Sequence, residues 1–542
     1  MFFNIELLYF VLMIGAFIAL LLWAKLPSGL CLMISAVIGI VASAIISGTP
    51  FDLRYFVEGA FGYFDTILII TTAMIFMGAM QITGALEYIS AVLVKAFRRV
   101  PSLLLIAFML IIMFPAMVTG SSLASALSAG ALIAPIMIKW GIPKAKAGAI
   151  VGIGSILGMV APPVNVPAMV ICDVIDIPYV GFELPLLILV IPLAIVSVLL
   201  LGRKYVKPLS EEQVDYVVNT SILKELNWTV CIPLFVLILL IVAEMIWPII
   251  FGSFAMPLMF VVATILSFFF GRKLPFWQKK PKQATLQADE SGEVVVPQPA
   301  HETPNCVVEV VRQGVEKSFS AMGLLIGVGL FMEAITLNGV RGEFITLAVT
   351  LPGAVRYIGM GLSLPIFGGI SAFGSASMLG GPFVMAFMGE ANDIVLTCGF
   401  SLLAAVGEFL PPTAMSATFA SQIVEEKSWT RISLAALPAL VLVFVYSIGY
   451  ALGIGKIVYD VPKNNRTGVE LIILASVVVV AVVFLFVWEL LVHKNAKLKS
   501  YARTVTADGV IIDSEGVAPQ QAATEENEEL IFNNDQTNEE DK

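Results

Sequence analysis

The sequence predicts an all-α polytopic membrane protein of two inverted-topology halves, each with a re-entrant helical hairpin and a helix broken at a Pro-Pro pair. Three observations carry that prediction. Apolar runs of membrane-spanning length recur along the chain, clusters of positive charge set the direction of crossing, and one pair of Gly- and Pro-rich motifs occurs twice in the same order.

The apolar runs come first. Of 542 residues, 58% are hydrophobic and 13% charged, whereas soluble domains run at about 45–50% and about 25%. The net charge of −9 belongs to the end of the chain: residues 507–542 hold eleven acidic residues and one lysine. The remaining body is near neutral and is expected to face a lipid bilayer, not nucleic acid. Its five cysteines stand singly, with no metal or disulfide spacing. Both histidines, His301 and His493, fall outside the predicted membrane segments or at their edge, so imidazole chemistry in the membrane has no residue to use.

A hydrocarbon layer about 30 Å thick needs roughly 20 apolar residues per helix. Stretches that qualify begin near Ile5, Leu26, Tyr63, Lys146, Leu184, Val230, Phe254, Ala321, Asp393, Ile432 and Val469. The first, within residues 1–25, lacks a basic leader region and is followed by Lys25. It reads as a retained N-terminal transmembrane helix with its N-terminus outside. The first half then covers 26–271. A polar linker with Pro, Gln, Lys and Glu covers 272–305 and is placed in the cytoplasm. The second half and a C-terminal transmembrane helix cover 306–492, and an acidic cytoplasmic tail with the composition of disorder covers 493–542.

Positive clusters mark the cytoplasmic side. They lie at Lys95, Arg98 and Arg99; at Lys139, Lys144 and Lys146; at Arg203, Lys204 and Lys207; at Arg272, Lys273, Lys279, Lys280 and Lys282; and at Lys494, Lys497 and Lys499. The stretch of about 101–139 has positive charge at both ends and a small, polar middle, Thr119-Gly120-Ser121-Ser122. A re-entrant hairpin opening to the cytoplasm accounts for both features. Two full spans would instead put that middle at the far surface without a charged loop.

The internal repeat is the most specific signal. Gly120-Ser121-Ser122 precedes Gly158-x-x-x-Pro162-Pro163 in the first half, and Gly374-Ser375-Ala376-Ser377 precedes Gly407-x-x-x-Pro411-Pro412 in the second. The paired motifs are offset by 254 and 249 positions. Glycine permits a tight turn, and consecutive prolines remove two amide donors and unwind a helix. The second hairpin, about 358–389, is expected to open outside.

These motifs, with Gly130, Pro135 and Gly141, resemble those of the large membrane subunit of tripartite ATP-independent periplasmic (TRAP) transporters, within the wider ion-transporter superfamily. The similarity in layout spans about 26–452. The chain departs from that pattern at Asn338-Gly339-Val340-Arg341-Gly342-Glu343, where the family usually has an aspartate-bearing, Pro-rich approach to the second hairpin, and in its linker, extra helix and tail.

The resemblance implies sodium-driven uptake of an organic carboxylate across a bacterial inner membrane. It also implies two partners, a small membrane subunit and an extracytoplasmic solute-binding protein. On that reading Na⁺ is the coupling ion and no other cofactor is needed. Its site would be built from Gly120, Ser121, Ser122, Pro162 and Asn165 in one half and Gly374, Ser375, Ser377, Pro411 and Thr413 in the other. Neutral oxygens suit a hard monovalent cation. Glu408, beside the second Pro-Pro break, could carry a proton, complete a cation site, or face the cytoplasmic vestibule.

Two alternatives stand beside this reading. One is a stand-alone sodium- or proton-coupled carrier of the same superfamily. The other is a membrane-embedded enzyme, for which Gly369-Ile370-Ser371-Ala372 offers a weak Gly-x-Ser but no nearby base. No enzyme activity is expected.

Overall fold

The computed structural model describes residues 5–48, 53–218, 223, 226–246, 256–270, 306–350, 352–454, 504–505 and 511–512. The linker at 272–305, the helix expected from Val469 and nearly all of 493–542 lie outside them. The chain divides into two compact units, Met1–Val479 and Val480–Lys542. In the second, strands β1 (Thr504–Val505) and β2 (Ile511–Ile512) pair antiparallel, Thr504 opposite Ile512.

The first unit is helical. In its first part run α1 (Ile5–Leu22), α2 (Ser28–Ile46), α3 (Leu53–Phe61), α4 (Phe64–Ile82), α5 (Ala85–Phe97) and α6 (Pro101–Thr119). Next come α7 (Ser122–Lys139), α8 (Lys144–Val160), α9 (Val166–Ile175), α10 (Glu183–Gly202), α11 (Glu211–Val217), α12 (Ile232–Ile246) and α13 (Met256–Phe270). The second part has α14 (Cys306–Leu337), α15 (Val340–Thr350), α16 (Gly353–Gly368), α17 (Ala372–Phe387), α18 (Asp393–Val406), α19 (Met415–Ile423) and α20 (Trp429–Gly449). Among the described residues, eight helices are long and apolar enough to cross a bilayer. The protein is a multi-pass membrane protein.

Two helix groups form. A frame consists of α1–α4 with α13 and α14, and α14 lies along α2, α3 and α4. Small residues let these backbones touch: a Cβ at Gly29 would come within 2.5 Å of the Gly323 carbonyl oxygen. The other group, the core, holds α6–α10 and α16–α20.

Both hairpins are closed at their bases. The Leu209 N–H donates to Arg98 O (2.8 Å) and the Trp140 indole to Lys207 O (2.9 Å), so the chain enters and leaves α6–α7 beside one short segment. In the second hairpin Arg356 donates to Ala386 O (2.8 Å) and pairs with Glu390 at 2.9 Å. The expected hairpin at 358–389 starts five residues early, since Pro352 N-caps α16.

The broken helices then show the inversion. The first begins at Lys144, next to the base of the α6–α7 hairpin, and its far end packs Val174 against Gly381 of α17. The second begins at Asn392, just past Glu390, and ends where Glu425 meets Lys144 Nζ at 3.6 Å. The two broken helices therefore run antiparallel, and the hairpins open at opposite ends. Three of the predicted positive clusters, those at 95–99, 139–146 and 203–207, gather at the first hairpin's base.

The structure also adds elements that the apolar-run criterion skips. α3, α5, α11 and α15 are short. α14 starts at Cys306, well before the expected Ala321, because Arg312 bridges Glu309 (2.7 Å) and Glu316 (3.1 Å) along a polar helical face.

Candidate functional site: the cleft at the hairpin tips

Each tip is a short non-helical turn followed by a serine N-cap. α6 ends at Gly120, which has φ +62°, a conformation that costs glycine nothing. Ser121 then caps α7 by accepting from Ala124 N–H (3.3 Å). In the second half α16 closes at Gly369, and Ser371 caps α17 by accepting from Gly374 N–H (3.1 Å). In both halves a later serine clips the second arm to the first: Ser125 donates to Ile112 O, and Ser375 to Leu364 O (2.7 Å). A π-helical segment follows each time, Ala126–Gly130 and Ala376–Gly380. The caps, clips and π-helical segments of the two hairpins thus correspond at an offset of 250 residues, not 254. The second tip is Gly369-Ile370-Ser371, and Gly374-Ser375 lies one turn inside α17.

The Pro-Pro breaks are tied to the tips. Val164 N–H donates to Met117 O (3.2 Å), and Thr413 donates to Gly369 O through both its N–H (3.2 Å) and its hydroxyl (2.7 Å). Both Pro-Pro peptide bonds are cis. At the second break the backbones touch: a Cβ at Gly407 would lie 2.3 Å from the Gly368 carbonyl carbon.

Between tips and frame lies a cleft of about 660 Å³, counting its open mouth. The core side contributes Ser121, Ser122, Ser371, Glu408 and Thr413, and the frame contributes Ser28, Lys317 and Ser320. Glu408 is buried, with 7% of its surface exposed. Its Oε2 accepts from Ser122 Oγ (2.6 Å) and from Ser416 Oγ (2.5 Å). One carboxylate therefore joins the first half's tip to the second half's break.

Of the sequence-predicted residues, Ser121, Ser122, Thr413 and Glu408 meet in this cleft. The others serve elsewhere. Gly120 lies against Val164 and Val166, and Pro162 and Pro411 turn the breaks without lining the cleft. Asn165 is fully buried. Its Oδ1 accepts from Ala168 N–H (3.0 Å), and its amide donates to Val160 O and Ser401 Oγ, both at 3.0 Å. Gly374 and Ser375 sit inside α17, and Ser377 lies 3.4 Å from the Tyr63 hydroxyl. Sequence reasoning missed Ser416, Ser28, Ser320 and Lys317, and placed Ser371 only in the Gly-x-Ser of the enzyme alternative, not at the cation site. Ser371 was accessible by adding 250 to Ser121. Arg341 caps α9 by donating to Val174 O.

A cleft set between two inverted hairpins, each beside a broken helix, defines the chain as a membrane permease of the secondary-transporter class. Residues 14–455 match the family model described as "Tripartite ATP-independent periplasmic transporter, DctM component", and the chain belongs to that family. This is a transporter family, and its component is one of a tripartite system. No curated protein matched the chain.

Proposed function

We propose that this permease imports an organic carboxylate together with Na⁺. A soluble extracytoplasmic binding protein delivers the substrate, and a small membrane subunit completes the assembly. The protein sits in a bacterial inner membrane with its N-terminus outside and its C-terminus in the cytoplasm, and both hairpins are re-entrant.

The observation that carries the reading is the convergence of both tips and Glu408 on one cleft between inverted halves. The hydroxyls of Ser121, Ser122, Ser371 and Thr413, with nearby backbone carbonyls, offer Na⁺ neutral oxygen ligands. The starts of α7 and α17 turn their N–H ends to the cleft, which favours an anionic substrate. The driving force suffices. One Na⁺ moving through ~100 mV releases about 2.3 kcal/mol, and about 1.4 kcal/mol corresponds to tenfold accumulation. A buried carboxylate at the junction also supports a second reading, coupling to protons through Glu408.

The test needs no substrate. The full chain in detergent is unfolded thermally while NaCl replaces choline chloride at fixed ionic strength. Ligands that bind only the folded state stabilise it by RT ln(1 + [L]/Kd). A saturable, Na⁺-specific rise is expected, with a higher midpoint in Ser122→Ala and Ser371→Ala. A flat response from folded protein would refute sodium coupling and turn attention to Glu408→Gln and proton-driven uptake.

A further inference from the structure

Only two of the described residues lining the cleft are charged, and they stand on opposite walls: Glu408 at the α18–α19 break and Lys317 on α14 of the frame. Their surroundings differ. Glu408 is held by two serine hydroxyls. Among the described residues Lys317 has no acidic partner. Glu309 and Glu316, the acids near it on α14, are both taken by Arg312. The hydrogen bond of Lys317 goes to the neutral amide oxygen of Gln81 (3.2 Å), and among the described residues it forms no ion pair. An exposed ammonium without an ion pair among the described residues therefore stands at the mouth of a cleft whose other polar groups are mostly hydroxyls. The low-dielectric walls of a cleft focus the field of a charge at its mouth on an anion that enters.

We propose that Lys317 binds the carboxylate of the transported solute from the frame side of the cleft. Ser28 and Ser320 on the same wall take its further oxygens, and the tip serines close over it from the core. The four-carbon stem lets the ammonium leave Gln81 and follow the anion. This assignment rests on the carboxylate reading given above. It places recognition of the solute's charge on the frame, apart from the hydroxyls assigned to Na⁺. The competing account is a lysine whose stem covers apolar surface while its head meets water or lipid headgroups.

The experiment uses the full chain in detergent at constant Na⁺ concentration. Sodium chloride is replaced stepwise by sodium succinate, sodium 2-oxobutyrate or sodium gluconate, with erythritol as an uncharged control, and the unfolding temperature is recorded. At least one of the three anions should stabilise the wild type saturably, and erythritol should not. Lys317→Gln should raise that anion's apparent Kd roughly five- to tenfold, and Lys317→Arg should stay within about threefold. The Na⁺ response of each variant against choline reports that it is folded.

Equal affinity in wild type and Lys317→Gln would overturn the role of Lys317 and leave the carboxylate reading standing. Equal loss in Lys317→Gln and Lys317→Arg would overturn it too, because charge would then not be what binds. No response of the wild type to any of the three anions would overturn both assignments together.

Discussion

Ser122, Glu408 and Ser416 form a tie between the halves, and its strength can be predicted from its geometry. Ser122 belongs to the first hairpin, whereas the other two belong to the second broken helix. Ser122→Ala removes a 2.6 Å hydrogen bond to Glu408 and leaves Ser416 at 2.5 Å as the remaining donor. Hydrogen bonds to charged groups contribute about 1.5–3 kcal/mol, so a cost of about 2 kcal/mol is expected, close to a factor of 30 in the folding equilibrium. Glu408→Met keeps roughly the same volume and removes the acceptor with its desolvation cost, but it leaves the buried Ser122 and Ser416 hydroxyls without that partner and should itself cost about 1–3 kcal/mol. In that background Ser122→Ala should cost under about 0.5 kcal/mol, a coupling of about 1.5 kcal/mol. The assay is unfolding of the full chain in mixed detergent micelles. Ser125→Ala serves as the control, since its hydroxyl bonds Ile112 O within the first hairpin. If Ser122→Ala costs the same with and without Glu408, to within about 0.5 kcal/mol, the tie does not act between the halves.

Two further predictions follow from backbone contact and from burial. At Gly407 an added Cβ would lie 2.3 Å from both Gly368 C and Pro365 O, which are backbone atoms that cannot step aside. Gly407→Ala should therefore lose about 3 kcal/mol or more, while Gly15→Ala, with nothing within 4 Å, should lose none. Equal behaviour in a thermal-melt comparison would contradict the contact. Asn165→Ala removes a helix cap and two buried hydrogen bonds, at a cost of about 2–4 kcal/mol. Its Na⁺ midpoint should stay within about twofold of wild type, because Asn165 does not line the cleft. A large shift in that midpoint would make it a ligand instead.

Much of the fold was legible because the bilayer imposes a simple criterion. Runs predicted from Ile5, Leu26, Asp393 and Ile432 begin within three residues of α1, α2, α18 and α20. α5 was not found, since its 13 residues are amphipathic and too short to span. The cleft was half legible. Ser121, Ser122, Thr413 and Glu408 sit beside the Gly and Pro signals that mark broken backbone, so local chemistry pointed to them. Lys317, Ser28 and Ser320 reach the cleft from the frame only through tertiary packing, and nothing in their neighbourhood along the chain marks them.

The four-residue slip in the second hairpin has a physical origin. Residues four apart share one face of a helix, so Ser371 and Ser375 are interchangeable to any reading based on period. The letters Gly-Ser favoured Gly374-Ser375 as the partner of Gly120-Ser121. What separates the two positions is work done by the hydroxyl. A capping serine accepts from the N–H three residues on, as Ser121 does from Ala124 and Ser371 does from Gly374. A clipping serine donates across the hairpin, as Ser125 and Ser375 do. Each half therefore carries Ser-x-x-x-Ser with a cap first and a clip second, and a single offset of 250 brings both pairs into line. The neighbouring breaks agree, since Pro162 and Pro411 differ by 249. A repeat aligned on two roles at once has far less room to slip than one aligned on a dipeptide. It follows that Ser371, rather than Ser375, is the counterpart of Ser121 at the cleft.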